Sequence, residues 1–162
     1  MPKSLILTLA LCAAVMLGGC KSESPTGPVT SSLPAMPEEV RGYWKVQSVT
    51  VDGVLTPFTE ALKRDHSTMT ELLTIDTHGN FYLGDYDVVG GVTHSESGAL
   101  GVDGQNFTMT IMTVDEQALW PYGKRSGQWA GSRGALNLTI NDGGKVYEIR
   151  YVAFDFYGWD YF

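Results

Sequence analysis

Leu136-Asn137-Leu138-Thr139-Ile140, then Asn141-Asp142-Gly143-Gly144, then Val146-Tyr147-Glu148-Ile149-Arg150-Tyr151: this stretch decides the fold. Leu136, Leu138 and Ile140 alternate with Asn137 and Thr139. A period of two is the mark of a strand with one buried face. Asn-Asp-Gly-Gly between two such runs is a hairpin signal, because these residues accept the backbone of a tight turn. The pattern recurs upstream. Leu72-Leu73-Thr74-Ile75-Asp76 passes through Thr77-His78-Gly79-Asn80 into Phe81-Tyr82-Leu83, and Ala99-Leu100-Gly101-Val102 passes through Asp103-Gly104 into Phe107-Thr108-Met109-Thr110-Ile111.

Before these hairpins, Gly42 to Val51 is rich in aromatic and β-branched residues and ends in the turn dipeptide Asp52-Gly53. Trp44 and Val46 share one face of such a strand, whereas Val49 and Val51 fall on the other. Either a bulge near Gln47-Ser48 or exposure of one pair resolves this. Thr56 to Ser67 is the one helical candidate, with Thr59 placed to cap Glu60-Ala61-Leu62-Lys63-Arg64. Asp115 to Tyr122 separates the second and third hairpins, and Ser126-Gly127-Gln128-Trp129-Ala130 reads as a strand of its own. Eight or nine strands joined by short turns, with one short helix after the first, predict an all-β protein: a single up-and-down antiparallel β-barrel, whose closure removes exposed edges.

The N-terminus predicts an address. Lys3 precedes Leu5 to Leu17, an apolar run broken only by Thr8 and Cys12. Its length suits a signal sequence and falls short of the ~20 residues of a spanning helix. Leu17-Gly18-Gly19-Cys20 resembles the bacterial lipobox: an aliphatic residue, two small residues, then cysteine. The resemblance implies that residues 1–19 are a lipoprotein signal peptide and that Cys20 becomes the lipidated first residue of the mature chain. It also implies a membrane partner, reached through acyl chains whose buried CH₂ groups contribute ~0.8 kcal/mol each. Lys21 follows the cysteine where aspartate favours inner-membrane retention, so the resemblance points to the outer membrane. Residues 20–39 read as the lipidated cysteine and a tether, with Pro25, Pro28, Pro34 and Pro37 among serines. Residues 40–162 form the barrel domain.

Charge and cysteine content narrow the function classes. The net charge is −7, and loss of Lys3 with the signal takes it to −8. That disfavours nucleic acid, whose affinity depends on neutralising phosphates. Of the 2 cysteines, Cys12 leaves with the signal and Cys20 is blocked by lipid, which leaves neither disulfide nor thiolate metal site. His66, His78 and His94 lack metal-ligand spacing, and Asp85 with Asp87 or Asp115 with Glu116 lack a calcium-loop pattern. No nucleophile elbow or phosphate-cradling loop occurs, so neither an enzyme nor a cofactor is expected. An enzyme would require histidine and carboxylates to converge in one cleft. Trp120 and Tyr122 in Leu119-Trp120-Pro121-Tyr122, and Trp159 in the aromatic run Phe154 to Phe162, are candidate ligand or partner contacts.

Gly42-Tyr43-Trp44 on the first strand, the Ile75-Asp76-x-x-Gly79 hairpin, the Gly127-Gln128-Trp129 strand and Leu136-x-Leu138-x-Ile140 are similar to the bacterial lipocalin-like domains, many of them lipoproteins. The similarity spans roughly 40–154. Gly84-Asp85-Tyr86, the nearest counterpart of the Thr-Asp-Tyr motif of lipocalins proper, falls earlier in the chain. The resemblance implies that Trp44 plugs the closed barrel end and that Arg150, on the last strand, packs over it. It further implies a monomeric binding protein holding a small apolar ligand. The alternative is a non-enzymatic interaction or inhibitor lipoprotein that meets an envelope protein or glycan through its loops and aromatic tail.

Overall fold

The computed structural model describes residues 36–64, 69–87 and 89–154. Cys20, His66 and Trp159 lie outside the described residues, as do the whole signal segment, most of the tether and most of the aromatic run at the C-terminus.

The β8–β9 hairpin forms as its sequence dictates. β8 (Ala135–Asp142) pairs antiparallel with β9 (Lys145–Ala153), Leu136 opposite Tyr151, Leu138 opposite Ile149 and Ile140 opposite Tyr147. Gly143 (φ 55°) and Gly144 (φ 77°) both take left-handed conformations, as a primed hairpin turn requires. The remaining elements are β1 (Gly42–Val51), β2 (Val54–Thr56), α1 (Phe58–Ala61), β3 (Thr70–Ile75), β4 (Asn80–Tyr86), β5 (Val92–Asp103), β6 (Asn106–Val114) and β7 (Gln117–Ser132). Neighbouring strands pair antiparallel in chain order from β3 to β9, and β1 pairs with both β3 and β9. Eight strands thus close an up-and-down barrel, while β2 is a short hairpin partner of the end of β1.

Several sequence expectations change in detail. The register of β1 against β9 shifts between Val46 and Ser48, so a bulge there brings Trp44, Val46, Val49 and Val51 toward one interior. The helix is shorter than expected. It spans four residues with Pro57 as N-cap, and Thr59 makes no capping bond. Asp115 to Tyr122 is not a separate segment. β6 turns through Asp115 (φ 49°) and Glu116 (φ 63°) straight into a 16-residue β7, which also contains Ser126 to Ala130. Gly123 pairs with Ile111 and Ala118 with Thr113, so Leu119-Trp120-Pro121-Tyr122 bulges out opposite the single residue Met112.

The core fills one end of the barrel. Trp44 is buried, and its indole N–H donates to the Val40 carbonyl at 3.0 Å. The Val40 N–H in turn donates to the Pro37 carbonyl at 3.1 Å, which makes a turn across this end. Met36 and Val40 join Trp44, Leu73, Ile75, Phe81 and Leu136 in the core cluster, so packing already begins at Met36, inside the stretch read from sequence as tether. Gly42 holds φ 138°, a backbone conformation that residues with a side chain rarely adopt, which accounts for glycine two residues before the tryptophan.

Candidate functional site

The other end of the barrel is open and partly empty. Side chains at alternate positions point inward: Glu71, Leu73 and Ile75 on β3; Phe81, Leu83 and Asp85 on β4; His94, Glu96 and Gly98 on β5. Pairing places Glu71 beside Asp85 and Asp85 beside His94, and in the next row Leu73 beside Leu83 and Leu83 beside Glu96. On β7 the inward positions are Gly123, Arg125 and Gly127, with Arg125 opposite Met109 of β6. The glycines on either side of Arg125 are close-approach positions: a Cβ at Gly127 would run into the Thr139 carbonyl, and one at Gly123 would press on Ile111 and Leu119.

Between these strands lies a cavity of about 280 Å³. Leu73, Leu83, Met109, Leu138, Ile140 and Ile149 form its apolar wall. Glu71, Glu96, Arg125 and Tyr151 are its polar lining, and Ala61 to Arg64 reach it from the segment after α1. Lys63 and Asp142, both exposed, stand at its mouth.

A network of charges surrounds the polar lining. The Tyr151 hydroxyl donates to Glu71 Oε1, and both side chains are fully buried. Burial pushes the Glu71 carboxyl up to about 7; the Tyr151 bond opposes this rise, while the nearby Asp85 carboxylate adds to it. Burial, and then Glu71, hold the Tyr151 phenol well above its ordinary range. Arg125 donates to Glu96 through Nη1 at 3.0 Å and Nη2 at 3.4 Å. Burial works against the Arg125 charge, but the Glu96 carboxylate outweighs it and keeps the guanidinium protonated. Arg64 Nε lies 2.7 Å from Asp85 Oδ2, an ion pair without hydrogen-bond alignment. Asp85 has no exposed surface, and burial raises its pKa against the pull of Arg64. His94 contacts Asp115 at 3.1 Å and Glu96 at 3.5 Å.

The structure separates the residues nominated from sequence. Trp44 sits in the closed end. Arg150 does not pack over it: Arg150 is exposed on the outer face of β9, between the inward-facing Ile149 and Tyr151. Among the described strand arginines, the one that faces the barrel interior is Arg125, and Arg64 reaches it from the segment after α1. Trp120 is 82% exposed and Tyr122 47%, and their rings meet edge to face with centroids 5.2 Å apart on the bulge of β7. Neither lines the cavity. His78 is exposed in its turn, whereas His94 is half-buried among carboxylates. Asp85 faces the interior, while Asp87 accepts the backbone N–H groups of Val89 and Gly91 in its own loop, so the two do not form one site. Among the described residues, no three His, Cys, Asp or Glu side chains are grouped to hold a metal ion.

Glu71, Glu96, Arg125 and Tyr151 were not singled out from sequence. One signal was available for Glu71, and the same signal bears on its neighbour Asp85. Glu71 shares the parity of Leu73 and Ile75, and Asp85 that of Phe81 and Leu83, which marks both as facing the buried side. The geometry defines a class, a closed antiparallel β-barrel with a charged, partly empty interior. No protein-family model matches the sequence, and no curated protein is significantly similar to it.

Proposed function

We propose that the protein is a lipid-anchored, lipocalin-like binding protein of the bacterial cell envelope that holds a small, largely apolar ligand in its barrel. The cavity carries this reading. Its volume is close to the lower end, ~300 Å³, of small-molecule sites, and an apolar wall faces a set of convergent polar groups, a combination such sites use. A monomer suits a barrel closed by the pairing of β1 with β9, which leaves little sheet edge open to another chain. We read the protein as a binder rather than an enzyme, because His94, the one half-buried histidine described, does not line the cavity.

Hexan-1-ol, a neutral probe small enough for the cavity, tests the binding reading. Calorimetry is expected to show saturable binding to the full chain after subtraction of a micelle blank. Ile140→Phe puts a ring into the void, so binding should drop at least about tenfold. Near-UV circular dichroism of the variant guards against misfolding. Equal binding by a folded Ile140→Phe protein would remove the cavity as the site.

Leu17-Gly18-Gly19-Cys20 supports the anchor, and Lys21 after it supports the outer-membrane location. Cys20→Ala should abolish acyl labelling and move the protein from the membrane to the soluble fraction. A variant that is still labelled would show that the lipid is elsewhere.

The exposed Trp120–Tyr122 pair favours a second reading, an interaction or inhibitor lipoprotein that meets an envelope protein or glycan at the barrel rim. Under that reading Trp120→Ala weakens the partner and leaves hexan-1-ol binding intact.

A further inference from the structure

The polar end of the cavity has a sign. Two interior cations, Arg125 and Arg64, are each held by a carboxylate, Glu96 and Asp85 respectively. Among the described residues Glu71 has no ion-pair partner of its own, although the Arg125 charge pulls on it from beyond its pair with Glu96. Among the described residues its one hydrogen-bond partner is the Tyr151 hydroxyl, and its side chain faces the cavity while almost fully buried. Asp85 is its neighbour across β3 and β4, and Glu96 lines the same cavity. A carboxylate ligand would meet these acids with both arginines already engaged and only the exposed Lys63, at the mouth, to receive it. A cation would meet a carboxyl whose hydrogen-bond partner is the neutral Tyr151 hydroxyl.

We propose that the cavity takes a small organic cation, an ammonium group on an apolar stem, with the ammonium on Glu71 and the stem against Leu73, Leu83 and Leu138. This rests on the binding function proposed above and gives its ligand a charge. Burial first, with the Asp85 and Glu96 carboxylates adding to it, raises the Glu71 carboxyl to about 7, so near neutral pH it holds a proton that an ammonium group can displace. Binding a cation there ionises Glu71 and therefore releases a proton to the buffer near neutral pH.

Three probes of one size separate the alternatives: hexylammonium, hexan-1-ol and hexanoate, titrated into the full chain at pH 7 in two buffers of different ionisation enthalpy. Hexylammonium should bind about tenfold more tightly than hexan-1-ol, as a charge-assisted bond predicts, with hexanoate weakest. Only hexylammonium should release protons. Glu71→Gln keeps the shape and a hydrogen bond to Tyr151; it should erase the proton release and the hexylammonium advantage, so that hexylammonium binds no more tightly than hexan-1-ol to the same variant. If all three probes bind alike, or hexanoate binds best, or Glu71→Gln keeps the preference, the cation assignment is wrong while the binding function stands. If none binds, both fall.

Discussion

Trp44→Ala is expected to destabilise the barrel by about 3–5 kcal/mol, the cost of emptying a buried aromatic site. Against a typical domain stability of about 5–15 kcal/mol, this removes a large share of what holds the native state. Trp44 is 4% exposed and sits where the chain from Met36 to Val40 crosses the closed end of the barrel. Removing the indole opens a void among Met36, Val40, Ile75 and Leu136, all members of the same cluster. It also deprives the Val40 carbonyl of its side-chain donor. Trp44→Phe separates the two effects. It keeps much of the apolar volume and loses the hydrogen bond, so its cost should be smaller, about 1–3 kcal/mol. Urea unfolding of the two variants and the parent measures both. Near-equal, small losses would mean that the closed end repacks freely and that Trp44 is not its plug.

The distance between sequence and structure follows from which strands announce their buried face. β6 and β8 do so because Phe107, Met109, Ile111 and Leu136, Leu138, Ile140 are apolar at every second position. β7 does not. Its inward positions, Gly123, Arg125, Gly127, Trp129 and Gly131, mix glycine with a cation and one aromatic, so no period of two in hydrophobicity exists to be read. Arg125, between Lys124 and Ser126, looks like part of a solvated face. Bulges compound the problem, since each shifts the parity of everything beyond it. The shift at Gln47 could be inferred from four apolar residues that disagreed. The shift between Ser97 and Gly98 had no such witness, and the first half of β5, with His94 and Glu96, was not read as strand at all. The Asp115-Glu116 turn was hidden for another reason: both residues adopt positive φ without a glycine to signal it. Fold class was therefore legible from the hairpins, whereas the cavity was not. A barrel interior is assembled from eight strands, and its charged groups meet only after closure.

The pH dependence of stability gives the second large effect, and Glu71 sets its sign. Burial raises the folded-state pKa of Glu71 from the ordinary 4.5 to about 7. Between those values the folded protein holds a proton that the unfolded chain releases, so stability falls as pH rises. The contribution is fully present below about 4.5 and is lost through about 7; at ~1.4 kcal/mol per unit the whole change is about 3 kcal/mol. The groups around Glu71 do not reverse it. Asp85 is also raised by burial and acts in the same direction, Arg125 stays charged, and Tyr151 stays protonated. Asp76 and Asp115 are lowered, chiefly by hydrogen bonds from Asn80 and Ser95, so their stabilisation is lost only as the pH falls below the ordinary carboxylate range. The urea midpoint of the parent should therefore fall between pH 5 and pH 8. Glu71→Gln, which cannot ionise but retains the Tyr151 contact, should flatten most of that slope. It should match the parent near pH 5 and exceed it at pH 8. A parent whose stability is level or rises over this range, or a Gln variant that keeps the full slope, would mean that the buried carboxyl at the cavity wall is ionised in the folded protein throughout.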